Sequence, residues 1–408
     1  MARKADAKPR QSDGQRASLF TAAPLPVAPL DDDGRLACLR LIRSENVGPV
    51  SFRELINRHG GAHAALDALP EHAARAGRRH LRLCPPEQAE QELEVARLAG
   101  AVPLFTIEPG YPARLAAIEA PPPLIYVKGR PELLSEPSVA MVGAREASAA
   151  GMKLARIFAR GLADAGLVIV SGLARGIDAA AHEQALHSGT VAVLAGGLDI
   201  VYPPEHAQLH ARIGTQGCLV SELPCGFSPR GRDFPRRNRL ISAIALGVLV
   251  VEAARRSGSL TTARHAVEQN RDVFAIPGNP LDPRAEGTNH LLKSGAILVT
   301  DPADVLEHLR RIGGHGPGAF REVVGVHPDP ADPADRDLAA ERALPSPEEP
   351  RDDEQARVLT ALGAAPIDID EIARTTGVPI RTVRMILLDL DLAGRIERHG
   401  AHLVSLRM

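Results

Sequence analysis

The sequence predicts a doubly wound parallel α/β sheet at its centre, with a small all-α module before it and a winged helix after it. Three observations lead there. Between residues 139 and 299 short apolar runs alternate with stretches of helical periodicity, and strands separated by helices of that length join through right-handed parallel crossovers. The apolar run Leu167–Val170 ends in the glycine loop that opens Ser171–Asp199 (SGLARGIDAAAHEQALHSGTVAVLAGGLD), a helical segment follows, and a second run, Val191–Leu194, ends in Gly196-Gly197. Both loops lie at carboxyl ends of strands, the edge where helix N-termini and bare amides collect ligands in open parallel sheets. Lastly, 408 residues exceed one ordinary core, so two or three domains are expected.

Residues 1–33 carry Pro, Ala, Lys, Arg and an Asp triplet without periodicity, the composition of a disordered tail. Residues 34–100 are helical. Leu36, Leu39, Leu41 and Ile42 precede the turn Asn46-Val47-Gly48-Pro49, Phe52, Leu55 and Ile56 follow, and more helix is predicted over Glu87–Leu98. Such a module resembles helix-hairpin-helix and sterile-alpha-motif (SAM) folds; packing or dimerisation is favoured over a phosphate contact from its turn.

The sheet domain is predicted over 101–312. Extended pieces at Leu104–Ile107 and Leu124–Val127 suit an added edge strand. Strands follow at Val139–Val142, Leu167–Val170, Val191–Leu194, Cys218–Ser221, Val248–Val251, Val273–Ile276 and Ala296–Val299. Helices are predicted over Ala147–Ala165, around Glu205–Ile213, over Asn238–Leu246 after a basic loop, over Thr261–Gln269 and over Ala303–Arg311. Residues 313–354 read as an acidic, proline-rich linker. In 355–408, helices at Ala356–Leu362, Ile369–Thr376 and Ile380–Leu392 precede a hairpin about Gly400, the winged-helix pattern.

The formal net charge of -2 conceals arginine in the middle of the chain and acid near 328–354, so it does not exclude a nucleic-acid partner. Cys38, Cys84, Cys218 and Cys225 show neither metal-ligand nor redox spacing and read as buried thiols in a reducing compartment. No apolar run is long enough to span a bilayer and no signal core follows the basic start, so a cytoplasmic protein without membrane partners is expected.

Every glycine-rich or polar motif of the central domain directly follows a predicted strand: Gly143-Ala144-Arg145, Ser171-Gly172, Gly196-Gly197, Ser221-Glu222, Glu252 with Ser257-Gly258-Ser259, and Pro277-Gly278-Asn279. These loops should share one edge and form a site. The dinucleotide fingerprint G-x-G-x-x-G is missing after Gly143, which disfavours nicotinamide and flavin cofactors. Arg145 instead puts a charge near a helix N-terminus, where phosphate is the natural partner. The run Ser228–Arg239 (SPRGRDFPRRNR) sets arginines around Phe234, and a stacking ring in a basic loop favours single strands over a duplex. Asp178 and His182 stand four apart but have no third ligand; Asp178 as helix N-cap beside a packed His182 is favoured over a metal or acid–base pair. Glu222 and Glu252 are the remaining candidates for hydrolytic carboxylates.

The pieces VGAREAS, SGLARGIDAAAHEQAL, VAVLAGGLDIVYP, SELPCG, FPRRNRLIS, VLVVEA, SGSLTTARHAVEQNRDVFAIPGN and GTNHLLKSGA, in this order over about residues 104–300, resemble the DNA-processing protein A (DprA, or Smf) family. The resemblance implies an extended Rossmann-like domain that binds single-stranded DNA and dimerises. It further implies protection of incoming DNA and transfer of the strand to the RecA recombinase in natural transformation, with no catalytic residues, cofactor or metal. DNA contacts would fall on Arg145, Phe234, Arg236, Arg237, Asn238 and Arg239, with the amides of Gly143, Ser171, Gly172, Gly197 and Gly258 as phosphate partners. Ala144 and Ala150-Gly151 depart from the Ser or Thr and the Tyr-Gly frequent in the family, which removes a hydroxyl or ring contact but leaves the arginine.

The alternative from another class is a nucleotide-processing enzyme like the Rossmann-like phosphoribohydrolases, with Glu222 or Glu252 cleaving a glycosidic bond; its G-G-x-G-T loop is absent. A transcription regulator acting through the winged helix is a third reading. There Arg381, Thr382 and Arg384 open the third helix, with DNA and protein contact evenly balanced.

Overall fold

The computed structural model describes residues 29–75, 80–312, 350–400 and 402–407. The expected tail, except for its last residues, and most of the expected acidic linker lie outside them.

The first helix, α1 (Asp32–Arg43), starts inside the Asp triplet: Asp31 caps it by accepting from the Gly34 amide at 2.8 Å, and Asp32 and Asp33 stand in the positive first turn. Helices α2 (Pro49–His59), α3 (Ala62–Arg75) and α4 (Pro86–Leu98) complete the N-terminal module. In the turn before α2, Asn46 takes a left-handed φ of 61°, and Pro49 fills the first helical position, where no N–H is needed.

The central sheet has nine strands: β1 (Val102–Phe105), β2 (Leu124–Gly129), β3 (Ser138–Val142), β4 (Val168–Ser171), β5 (Thr190–Val193), β6 (Cys218–Ser221), β7 (Gly247–Val250), β8 (Asp272–Ala275) and β9 (Ile297–Leu298). Their order is β1-β2-β6-β5-β4-β3-β7-β8-β9. The first two are antiparallel additions, β2 pairing Tyr126 with Ser221 of β6, and all later neighbours run parallel. From β3 the chain winds outward through β4, β5 and β6, then returns to β7 beside β3 and winds the other way. The carboxyl ends of β3 and β7 therefore flank the switch point, where two loops part and leave a crevice. Helices cover both faces. Val142, Val170 and Val193 share one apolar cluster with Leu240 and Ile244, while Met141, Ile169 and Leu249 share another with Phe158 and Leu162.

The helices of this domain, after the short α5 (Ala113–Ala116), are α6 (Ala149–Asp164), α7 (Ile177–Ala185), α8 (Ala207–Gln216), α9 (Asp233–Ile244), α10 (Ser259–Glu268), α11 (Glu286–Lys293) and α12 (Pro302–Ile312). One departs from expectation. The segment read as a basic loop up to Asn238 is instead the first turns of α9, which begins at Asp233. Asp233 closes the preceding turn by accepting from the Arg230 amide at 2.7 Å, and Pro235 is tolerated because first-turn amides have no helical partner.

The C-terminal unit consists of α13 (Asp352–Ala361), β10 (Ile367–Asp368), α14 (Ile369–Thr376), α15 (Ile380–Leu392) and the hairpin β11 (Ile396–His399) and β12 (Leu403–Leu406), a winged helix. Its own core holds Val358, Ile372, Val383, Ile386, Leu387, Leu390 and Val404. The opposite side of α15 faces the N-terminal module: Leu388 and Leu392 belong to the same apolar cluster as Leu39, Phe52, Leu55 and Leu69. Polar contacts frame that seam. Asn46 Nδ2 donates to the Leu392 carbonyl at 2.8 Å, His72 Nδ1 lies 2.5 Å from Asp389 Oδ1 with both side chains buried, and Arg398 reaches Asp391 and Glu54. The surface that such a fold can offer to a DNA groove is thus partly occupied by the chain's own helices, while Arg381 and Arg384 at the start of α15 stay exposed.

Candidate nucleic-acid interface

A cleft of about 900 Å³ opens at the switch point. Its walls come from the loop after β3 (Gly143, Arg145), the loop after β7 with the start of α10 (Arg256, Ser257, Gly258, Ser259), and the first turns of α9 (Phe234, Arg237, Asn238). Tyr202, from the loop after β5, stands at its rim, and Arg284 reaches it from before α11. A smaller cleft of about 40 Å³ adjoins it, lined by Arg145, Gly172, Ala174, Arg175, Tyr202, Phe234 and Arg237 among others.

Arg145 is exposed at the mouth, and among the described residues it forms no ion pair; its guanidinium carbon lies 5.6 Å from the Phe234 ring centroid. A cation over a ring face is held loosely in orientation but firmly in place, which leaves its N–H groups free for an anion. Arg256 is exposed on the wall formed by the loop after β7, beside Gly258, which precedes α10 and has open space around it. The ten-residue helix that starts there adds the positive potential of its N-terminus, although its first amides donate locally: Ser259 to Ser257 Oγ at 3.4 Å, Leu260 to the Ser257 carbonyl and Thr261 to the Gly258 carbonyl, both at 3.1 Å.

Arg237 does different work. It is 6% exposed, its Nη1 donates to the carbonyls of Gly172 (2.6 Å) and Val193, and its Nε donates to Asn238 Oδ1 at 3.2 Å. Burial pulls its pKa down to about 10, partly offset by Asp178, so it stays charged at neutral pH. Asp178 does not cap α7. Its Oδ2 accepts from the amides of Gly172 (3.1 Å) and Ala174 (3.3 Å), and burial holds its pKa above the ordinary value despite Arg237 and those amides. A carboxylate at the second position of the helix thus folds the glycine loop back onto itself, and Arg237 pins the far side. His182 is fully buried against Thr190, with 2.8 Å between Nδ1 and Oγ1, and burial drives its pKa to about 3; it stays neutral and is a packing residue.

Of the other expected contacts, Arg236 and Arg239 both pair with Glu222, and Arg239 also donates to the Ala120 carbonyl at 3.1 Å. The Gly172 amide is engaged by Asp178, the Gly197 amide by the Phe227 carbonyl at 2.9 Å, and Ser171 is buried with its Oγ donating to the Met141 carbonyl at 2.6 Å. Gly143 lines the cleft, yet its lack of a side chain serves packing: a Cβ there would meet Ile177 at 2.6 Å. Glu252 accepts from the Ser148 amide at 2.9 Å and from its hydroxyl, so both candidate hydrolytic carboxylates are spent on structural partners, and neither lines the cleft.

Tyr202, Arg256 and Arg284 belong to the cleft without having been expected there. Arg256 is the second residue of the pair Arg255-Arg256, directly before the Ser257-Gly258-Ser259 motif, so a signal for it stood in the sequence; Arg284 sits singly before α11 and pairs with Asp282 at 2.9 Å. Tyr202 did carry a signal, an aromatic residue next to proline in a loop that leaves a carboxyl strand end. No group of three or more His, Cys, Asp or Glu among the described residues could hold a metal ion, and no helix among them is long and apolar enough to cross a membrane.

A switch-point cleft walled by arginines, glycines and a helix N-terminus, with aromatic rings at its rim, defines an open-sheet α/β protein suited to a phosphate-bearing ligand. The family described as DNA recombination-mediator protein A matches residues 103–310, the DprA-like N-terminal HHH domain matches 32–95, and the DprA winged helix domain matches 329–402. Protein Smf of Escherichia coli is 42% identical over 300 residues, covering 73% of this chain and 75% of that protein. A putative DNA processing protein DprA of Mycobacterium tuberculosis is 35% identical over 364 residues, covering 86% of each chain. The crystal structure of DNA processing protein A from Streptococcus pneumoniae superposes with a TM-score of 0.57 at 35% identity, covering 69% of this chain and 98% of that one. The chain belongs to the DprA (Smf) family of DNA processing proteins.

Proposed function

We propose that this protein binds single-stranded DNA in the switch-point cleft, protects it, and passes it to the RecA recombinase during natural transformation, without chemistry of its own. The observation that carries the binding reading is Arg145, exposed and without an ion pair among the described residues, held over Phe234 at the mouth of a cleft that Arg256 and the α10 N-terminus also line. The phosphate contacts we assign are Arg145, Arg256, Asn238 and the amides of Gly143 and Gly258; Arg237 shapes the floor. A strand with unpaired bases can place phosphates on these groups and a base against the rings, whereas a duplex hides its base faces. Family membership supports the RecA step, a homodimer and a cytoplasmic site of action.

Binding of a labelled oligothymidylate against salt tests this. Arg145→Ala should weaken binding roughly tenfold or more, and the slope of log affinity on log salt should shrink by about 0.7 for the lost phosphate contact. Unchanged affinity and slope would place the strand elsewhere. For the RecA step, the protein added to a RecA strand-exchange reaction should speed the joining of a coated single strand; no acceleration removes that part. Turnover of nucleoside monophosphates, lost in Glu222→Gln or Glu252→Gln, would favour the hydrolase reading instead.

A further inference from the structure

We propose that Tyr202 is a base-stacking residue of this site and marks the point where the strand passes from the large cleft to the small one, an inference that rests on the single-strand reading above. Phe234, the ring singled out by sequence, has its surroundings taken: Arg145 lies 5.6 Å and Arg237 6.0 Å from its centroid, and the Tyr202 ring lies 5.2 Å away, tilted by 54°. Guanidinium groups and the tyrosine hold Phe234 as a support. Tyr202 is 48% exposed and lines both clefts. A ring steadied on one side by a second aromatic and open on the other is a ready stacking platform at little entropic cost. Arg145, Ala174, Phe234 and Arg237 also line both clefts, so the aromatic pair forms the divide between them, with the exposed charge of Arg145 beside it for the phosphate linking the two nucleotides.

The composition supplies a direct readout. The chain has no tryptophan and three tyrosines. Tyr111 and Tyr126 are buried, their hydroxyls donating to the Pro122 carbonyl (2.7 Å) and to Glu92, so Tyr202 is the tyrosine a base can reach. Titration of the full-length protein with oligothymidylate, following tyrosine emission with inner-filter correction and, in parallel, anisotropy of an end-labelled strand, should show emission falling as the strand binds. Tyr202→Leu should bind roughly 5- to 150-fold more weakly and lose the quench, and Tyr202→Phe, which keeps the ring, should recover the affinity without the quench. Binding seen by anisotropy with unchanged emission overturns the assignment, as does Tyr202→Leu binding like the parent. If Tyr202→Leu melts below the parent, the quench in the parent protein decides alone. A protein that binds no oligonucleotide overturns the single-strand reading and this inference together, whereas binding without quench overturns this inference only.

Discussion

Arg237→Ala should lower the free energy of unfolding by about 3–5 kcal/mol, the usual cost of removing one partner from a buried charge pair. In a domain of this size that is a fall of roughly 6–20 °C in melting temperature. The guanidinium bonds two carbonyls on neighbouring strand ends and faces Asp178, so alanine leaves the Gly172 and Val193 carbonyls and a buried carboxylate without their charged partner. The deficit should depend on pH. Burial already raises the Asp178 pKa, with Arg237 opposing the rise; without Arg237 the folded-state value climbs further above its unfolded value near 3.9. An acid whose folded pKa is raised contributes stability at low pH and loses it as pH rises through the folded value. The gap between Arg237→Ala and parent should therefore widen from about pH 4 to pH 7, read by urea melts at both ends. Melts that match the parent's at both ends would show that Arg237 carries no structural load. Arg237→Lys keeps the charge but not the fork, and should recover only part of the loss.

Asp389→Ala should free the winged helix from the N-terminal helices. It removes the acceptor of buried His72 at the centre of the seam and leaves a buried donor unsatisfied, worth about 1–3 kcal/mol, and this loss falls on an interface rather than on either core. Hydrogen exchange should accelerate in α2, α3 and α15 while β3, β4 and β7 keep their protection. Leu388→Ala, which thins the apolar part of the same contact, should act in the same direction without touching charge. Exchange that is unchanged in both variants, or that rises evenly through the sheet, would show that the seam is not a separate cooperative unit.

The sheet was legible because its strands are short apolar runs punctuated by glycine, a pattern that survives without any knowledge of contacts. Strand order at the edge was partly legible, with Leu124–Val127 expected as an addition and β2 indeed pairing antiparallel with β6. The start of α9 was hidden because proline and a run of arginines imitate a loop, and nothing in the residue string shows that Asp233 closes the turn before it. The site was legible in kind more than in detail. Arg145, Phe234, Asn238 and Gly258 do meet at one cleft, but charge alone does not tell an arginine that faces solvent from one that spends its donors on carbonyls, as Arg237 does, or on a carboxylate, as Arg236 and Arg239 do. The role of Asp178 was likewise out of reach, since it depends on how the glycine loop curls back toward the helix that follows it.

The bond from Asn46 to the Leu392 carbonyl joins groups 346 residues apart. A ribosome adding about 5–20 residues per second would take roughly 20–70 s to deliver the second partner after the first. For that interval the nascent N-terminal helices carry an uncovered apolar flank around Leu55 and Leu69, so an emerging chain offers chaperones, or a neighbouring chain on the same message, a surface that the finished molecule has withdrawn.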